Sequence, residues 1–343
     1  MTGEPKEYDF TGRKAVDWNK YRIDLARPVK SPEPLIIQTD SGIPMLHRRN
    51  VSTIAVSAKV GKTFLVSAIA AAALNDEGFM GFHCPKRGVK VLFVDTEQDI
   101  SDTQEVAKRV HKCNAWDTVE NNSAFAVLNL REQDTEVRVQ IIEEAIREYR
   151  PDLVLLDGIV DILTNFNDIA ESKQAIDTLT RWATSYDCHI VTYLHVNKGK
   201  DAAELRGHIG SFCRQKGQLT LLLTKQEDSI PYIEVKPIDS RHRPIEPFCF
   251  RINSDAMPEI YMPEGKPKKS DRVASLFADA LPLPTSMSYS DLKAKVMELG
   301  DVKEAMAKRK IKDAADSGII EKNEAGYYHL PVKEVQNDDR LPF

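Results

Sequence analysis

The 343-residue chain has little of what several common protein classes need. It holds 5 cysteines, Cys84, Cys113, Cys188, Cys213 and Cys249, with no C-x-x-C pair among them. An odd, dispersed set excludes a disulfide framework or a zinc ribbon and fits buried thiols in a reducing compartment. Long apolar runs are missing too. The longest, Phe64 to Leu74, is too short to span a bilayer. The opening "MTGEPKEYDF" has acids and a proline where a signal peptide has a basic start and an apolar run. The expectation is a cytoplasmic protein without a membrane partner. Charge excess is absent as well: the net charge is −5, so a nucleic-acid surface would have to be a local patch. One further absence is local. Val56 stands where the pattern G-x-x-x-x-G-K-[ST] has its first glycine.

What is present is a rhythm. From about Val51, β-branched and leucine-rich runs ("VSTIAV", "KVLFVD", "AFAVLNL", "DLVLLD", "HIVTYLH") alternate with helix-length segments. That alternation predicts βαβ units and an α/β fold with a mostly parallel sheet flanked by helices. Ser101 and Gln104 stand at capping-box spacing before one such helix. After about residue 215, "QLTLLLT", "PYIEVK" and "EPFCFRI" follow without intervening helices, which predicts an antiparallel continuation at one edge. The expected organisation is an N-terminal arm at 1–34, an α/β domain at 35–256, a proline- and lysine-rich linker at 257–270, a small unit at 271–331 and a disordered tail at 332–343.

"IAVSAKVGKTFLVSAIAAAAL" sets Gly61-Lys62-Thr63 between an apolar strand and a long apolar helix, the context a phosphate loop needs. The N–H groups that open such a helix have no partners within it and, with the helix dipole, attract phosphate. The expected ligand is ATP with magnesium. Its cradle would be Ser57, Ala58, Lys59, Val60, Gly61, Lys62, Thr63 and Phe64, with Lys62 on the β- and γ-phosphates and the Thr63 hydroxyl on magnesium. A β-branched residue at Val56 restricts φ where the pattern has glycine. Lys59 either approaches a phosphate or points to solvent.

A phosphate loop also requires acids at neighbouring strand ends. Asp157 ends the wholly apolar "LVLLD" and is the expected magnesium partner; a turn cap is the plainer alternative. Asp95 and Glu97 end "VLFVDTE", and Glu97 is the expected activator of the attacking water.

With these motifs in this order, the sequence resembles a RecA-type P-loop ATPase, in the branch of hexameric plasmid-replication helicases of the RepA kind and their relatives on mobile elements. The resemblance covers about residues 35 to 253. It implies that Glu97 polarises water and that His195, ending "HIVTYLH", senses the γ-phosphate. It also implies that Arg241 or Arg243 in "KPIDSRHRP" reaches a neighbouring subunit's site. A finger acting in trans requires a homo-oligomer, here a hexameric ring. The loop from 196 to "LRGHIGS" would then face the channel and offer Lys198, Lys200 and Arg206 to DNA phosphates.

The C-terminal residues read as three helices and a hairpin turning at Glu324-Ala325-Gly326, which resembles a winged helix-turn-helix. Lys308, Arg309 and Lys310 on the third helix are candidate DNA contacts. A protein-docking module is the alternative reading of that unit.

Overall fold

Proline and polar residues around positions 30–50 hide two short strands. Pro34–Gln38 (β1) and Ile43–His47 (β2) pair antiparallel. Asn50–Val56 (β3) follows, buried from Val51 onward, and Lys62–Leu74 (α1) is buried continuously from Leu65 to Ala73. A helix apolar on all sides has to sit between two layers. It does: the sheet lies on one side of it, and β1, β2 and Phe82–His83 (β4) form a small three-stranded sheet beyond.

The α/β succession continues with Val91–Asp95 (β5), Ile100–Cys113 (α2), Phe125–Asn129 (β6), Thr135–Tyr149 (α3) and Leu153–Asp157 (β7). Then come Ile169–Ser185 (α4), His189–His195 (β8), Gly207–Lys216 (α5) and Leu219–Gln226 (β9). Tyr232–Ser240 (β10), Phe248–Ile252 (β11) and Pro258–Tyr261 (β12) close the first unit. The computed structural model describes residues 17–57, 60–196, 205–263, 269–282, 285–300, 302–323 and 325–331, and it divides into two compact units after Tyr261.

Nine strands form the main sheet in the order β12-β11-β10-β9-β3-β8-β7-β5-β6. Those from β9 to β6 are parallel, and the three on the other side are antiparallel. The expected fold class is thus the observed one. Leu155, Phe93 and Tyr193 face α1 and α2; Leu156, Val94 and Ile190 face α3, α4 and α5. Parallel strands buried on both faces leave their carboxyl ends as the exposed rim where ligands bind in such sheets. All five cysteines are free, and Cys84, Cys188 and Cys213 are buried.

Four local expectations change. The stretch at 257–270 is not all linker, because Pro258–Tyr261 pairs with β11. The arm at 1–34 ends in β1, and its first sixteen residues lie outside the described set. "LRGHIGS", read as loop, opens α5, where Ile209 and Cys213 bury one helical face. Asp99, not Ser101, caps α2 by accepting from the Ser101 amide at 3.0 Å.

The second unit contains Lys269–Ala280 (α6), Tyr289–Gly300 (α7), Glu304–Asp316 (α8), Glu321–Lys322 (β13) and Tyr328–His329 (β14). Phe277, Leu292, Val296, Ile311 and Ile320 form its core. Met287 pairs with Tyr328 through two backbone hydrogen bonds of 2.9 Å, adding a third short rung to the hairpin. The expected tail at 332–343 lies outside the described residues. Among the described residues no helix is long and apolar enough to cross a membrane.

Candidate functional site

The parallel register brings the singled-out residues to one rim. Val56 ends β3 opposite His195, the end of β8, and Asp95 ends β5 opposite Asp157, the end of β7. Gly61 precedes α1 with φ at 84°, a left-handed conformation that favours glycine. A Cβ there would also come within 3.3 Å of Ile233 Cδ1. Among the described residues no side chain caps α1; the Phe64 amide donates to the Gly61 carbonyl at 3.1 Å, while those of Lys62 and Thr63 have no acceptor within the helix.

Lys62 leaves that turn and reaches two carboxylates at once: Asp157 Oδ1 at 2.6 Å and Glu97 Oε2 at 2.8 Å. Asp157 is fully buried, whereas the Glu97 side chain keeps about a third of its exposure (33%). Burial pushes the Asp157 carboxyl up to about 7; Lys62 opposes that, and Glu97 and Asp95 add to it. Burial alone would lower the Lys62 pKa, but the charges of Asp157 and Glu97 outweigh it and hold the ammonium charged. One carboxylate oxygen, Asp157 Oδ2, is buried without a hydrogen-bond partner among the described residues. Buried polar atoms ordinarily have a partner, so this oxygen is able to accept one more.

Asp95 and Glu97 have different duties. Asp95 is buried and accepts from the Glu97 and Gln98 amides, both at 3.0 Å. It also accepts from Gln98 Nε2 at 2.7 Å and Thr103 Oγ1 at 2.8 Å. Those four donors saturate it, and it shapes the turn from which Glu97 projects.

The phosphate-loop residues divide similarly. Ser57 is exposed and Thr63 half-buried; Val60 packs into the core and offers only its backbone. Phe64 is stacked under the Arg109 guanidinium, 3.9 Å from the ring centroid. Ala58 and Lys59 lie outside the described residues. His195 Nδ1 is 3.2 Å from the Val56 carbonyl, so the tautomer protonated there donates across the rim beside the loop.

Arg241 and Arg243 are not brought to this rim. They follow β10, whose last residue Ser240 pairs with Leu219 at the start of β9, the opposite end of the sheet. Arg241 donates to the carbonyls of Gly217 at 3.1 Å and Gln215 at 2.9 Å, while Arg243 is exposed. Neither contributes to its own chain's Lys62 site.

Arg206 stacks on Phe166 at 4.5 Å and its amide donates to the His195 carbonyl at 3.1 Å; Lys198 and Lys200 lie outside the described residues. In the second unit, Lys308 is exposed and paired with Glu304 at 2.9 Å, and Arg309 lies 3.8 Å from Asp313. Lys310 is half-buried. Exposed pairs of this kind contribute about 0–1 kcal/mol and exchange readily for other anions.

Two residues escaped the sequence reading. Thr96 bridges the ends of β5 and β7, with its hydroxyl 2.7 Å from the Asp157 carbonyl and 2.8 Å from Asp161 Oδ2. The available signal was a second acid four positions after Asp157, in "DGIVD".

These groups suit a polyphosphate with a divalent cation. A lysine and capless amides can hold phosphate oxygens, and buried Asp157 has an oxygen to offer a hard metal. Among the described residues no group of three His, Cys, Asp or Glu is placed to hold an ion alone. Magnesium commonly relies on one or two carboxylates plus substrate phosphates.

Comparison with known proteins agrees with this chemistry. Residues 32–201, slightly under half the chain, match the family described as AAA domain. No curated protein matches. Among solved structures, a KaiC-like protein of the hyperthermophilic archaeon Pyrococcus horikoshii OT3 is 16% identical with a TM-score of 0.49, over 68% of this chain and 100% of that one. The matched segment contains Gly61-Lys62-Thr63, Glu97 and Asp157, and it is similar to a P-loop ATPase domain.

Proposed function

We propose that this protein is a magnesium-dependent ATPase that acts on DNA as a homo-oligomeric, hexameric motor of the helicase type. The observation that carries the hydrolytic part is the meeting of Lys62, Glu97 and Asp157 at the mouth of α1. Lys62 binds the β- and γ-phosphates, exchanging its two carboxylates for phosphate oxygens. Thr63 and Asp157 hold magnesium, which neutralises phosphate charge when bound. Glu97, released from Lys62, accepts the proton of the attacking water. His195 reads the γ-phosphate from beside Val56.

The placement of Arg241 and Arg243 at the far end of the sheet supports a role only towards a neighbouring protomer. As trans fingers they would stabilise charge developing on the γ-phosphate. DNA would run along Lys198, Lys200 and Arg206. The three helices, hairpin and Met287 rung of the second unit support a winged helix-turn-helix, with Lys308, Arg309 and Lys310 on phosphates.

One reading from another class has a specific observation behind it. Val56 in place of glycine, its carbonyl accepting from the Val196 amide at 3.1 Å, favours a nucleotide-switched DNA-binding regulator with little turnover. DNA-stimulated phosphate release separates the two. The motor requires turnover that Glu97→Gln lowers by at least ~100-fold while ATP still binds. Binding without turnover in the wild type leaves only the regulator.

A further inference from the structure

Between Asp95 and Glu97 stands Thr96, and its bonds all point one way. Its amide donates to the Asp157 carbonyl at 2.8 Å. Its hydroxyl accepts from the Gly158 amide at 3.0 Å and lies within hydrogen-bond distance of both the Asp157 carbonyl and Asp161 Oδ2. A hydroxyl has one proton and two lone pairs. Thr96 therefore donates either to Asp161 or to the Asp157 carbonyl; in the second case Asp161 carries a proton and donates to Thr96. Burial raises the Asp161 pKa and Glu97 adds to that, while the Thr96 bond, Arg138 and Lys62 work against it. Either arrangement clamps Thr96.

Asp161 is itself anchored. Its carbonyl accepts from Arg138 Nη1 at 3.0 Å, and the same guanidinium donates to the carbonyls of Leu130 at 3.0 Å and Arg131 at 2.9 Å. The anchored acid also lies beside the reacting groups. A Cβ at Gly158 would stand 3.4 Å from Glu97 Oε1 and 3.8 Å from Asp161 Oδ2, so the two carboxylates flank one small gap.

We propose that Asp161 is a positioning residue for hydrolysis: through Thr96 it pins the turn carrying Glu97 to the end of β7, so that Glu97 is held in one orientation beside Lys62 and Asp157. The inference rests on the hydrolytic reading above. Asp161 touches no reacting atom in this role, and its effect belongs in kcat rather than in nucleotide binding.

The test compares wild type, Glu97→Gln, Thr96→Val, Thr96→Ser, Asp161→Ala and Asp161→Asn by steady-state phosphate release, Mg-ATP calorimetry and thermal melting. Thr96→Val and Asp161→Ala should lower kcat by ~10- to 100-fold, as expected for a misplaced catalytic group. Their Mg-ATP Kd should stay within about twofold of wild type. Thr96→Ser and Asp161→Asn keep a hydrogen-bonding group and should recover most of the rate. A wild type and Asp161→Ala of equal kcat, with Glu97→Gln inactive, overturns the role of Asp161 alone. So does a loss of kcat, binding and melting temperature together that Asp161→Asn fails to rescue, which would mark a plain folding role. A wild type that releases no phosphate overturns the hydrolytic reading and this inference with it.

Discussion

The strand β7 joins two buried carboxylates with opposite circumstances. Asp152, just before it, accepts from the Lys90 amide at 2.7 Å, from Lys86 Nζ at 3.2 Å and from Arg48 Nη2. Arg48 is buried with it and also donates to Asp187. Burial would raise the Asp152 pKa, but the Lys90 amide and Arg48 overcome that and hold it below the usual carboxylate range. Asp157, at the other end, shares one lysine with Glu97, has an oxygen with no partner among the described residues and is pushed up to about 7. The residue type is the same and the two bracket one strand, with Asp157 the more deeply buried (0% exposed against 9%). The largest difference lies in satisfaction: one carboxylate has several donors, and the other has a single lysine, as expected where a protein gives up local consistency for function.

The largest expected contrast comes from deleting the cation at each end. Lys62→Ala should abolish Mg-ATP binding in calorimetry. It should change stability at pH 7 by only about 1 kcal/mol, because Asp157 already stands at the point of taking a proton and then becomes neutral. Arg48→Ala should do the reverse. It leaves an ionised Asp152 buried, which costs about 3–5 kcal/mol in urea unfolding, while nucleotide affinity of the folded fraction stays at the wild-type level. If Lys62→Ala unfolds the protein as readily as Arg48→Ala, the two ends do not differ as described.

A second contrast is in pH. The Asp157 pKa is raised in the folded state above its ordinary 3.8, so its contribution to stability is full below pH 3.8 and is lost as pH rises through about 7. The Asp152 pKa is lowered, so its contribution is present above pH 3.8 and is lost as pH falls below that. Melting temperatures across this range should separate them. Asp157→Asn should flatten the decline between pH 4 and 7 relative to wild type, and Asp152→Asn should remove a rise on leaving acid pH. An unchanged slope in Asp157→Asn would show that its carboxyl titrates normally.

How far the sequence foretold the two ends follows from where their partners lie. Gly61-Lys62-Thr63 and the strand-ending Asp157 are local patterns, and the parallel alternation around them implies that they share a rim. The sequence already favours Glu97 over Asp95; what the structure adds is the reason Asp95 stands apart, since the donors that saturate it include Thr103 on the next helix. The structural end was invisible. Arg48 and Asp152 are 104 positions apart, and nothing in the spacing joins them. The sheet of β1, β2 and β4 was missed for the same reason: β4 is two residues long and gains its meaning only by pairing with β1. Thr96 and Asp161 were missed because a threonine between two acids looks like loop filling until its four contacts are seen together.

The smallest expected effect sharpens the comparison most. Lys86 is the exposed member of the Asp152 cluster, with its side chain 56% accessible. Lys86→Ala removes one donor from a carboxylate that keeps the Lys90 amide and Arg48. Because the lost charge is solvated, the change should stay within about 0–1 kcal/mol, and hydrolysis should be unaltered. A carboxylate that keeps the Lys90 amide and buried Arg48 tolerates that loss. Should Lys86→Ala destabilise the protein as much as Arg48→Ala, Asp152 would depend on every one of its donors, and its surplus of partners would not be what distinguishes the ends of β7.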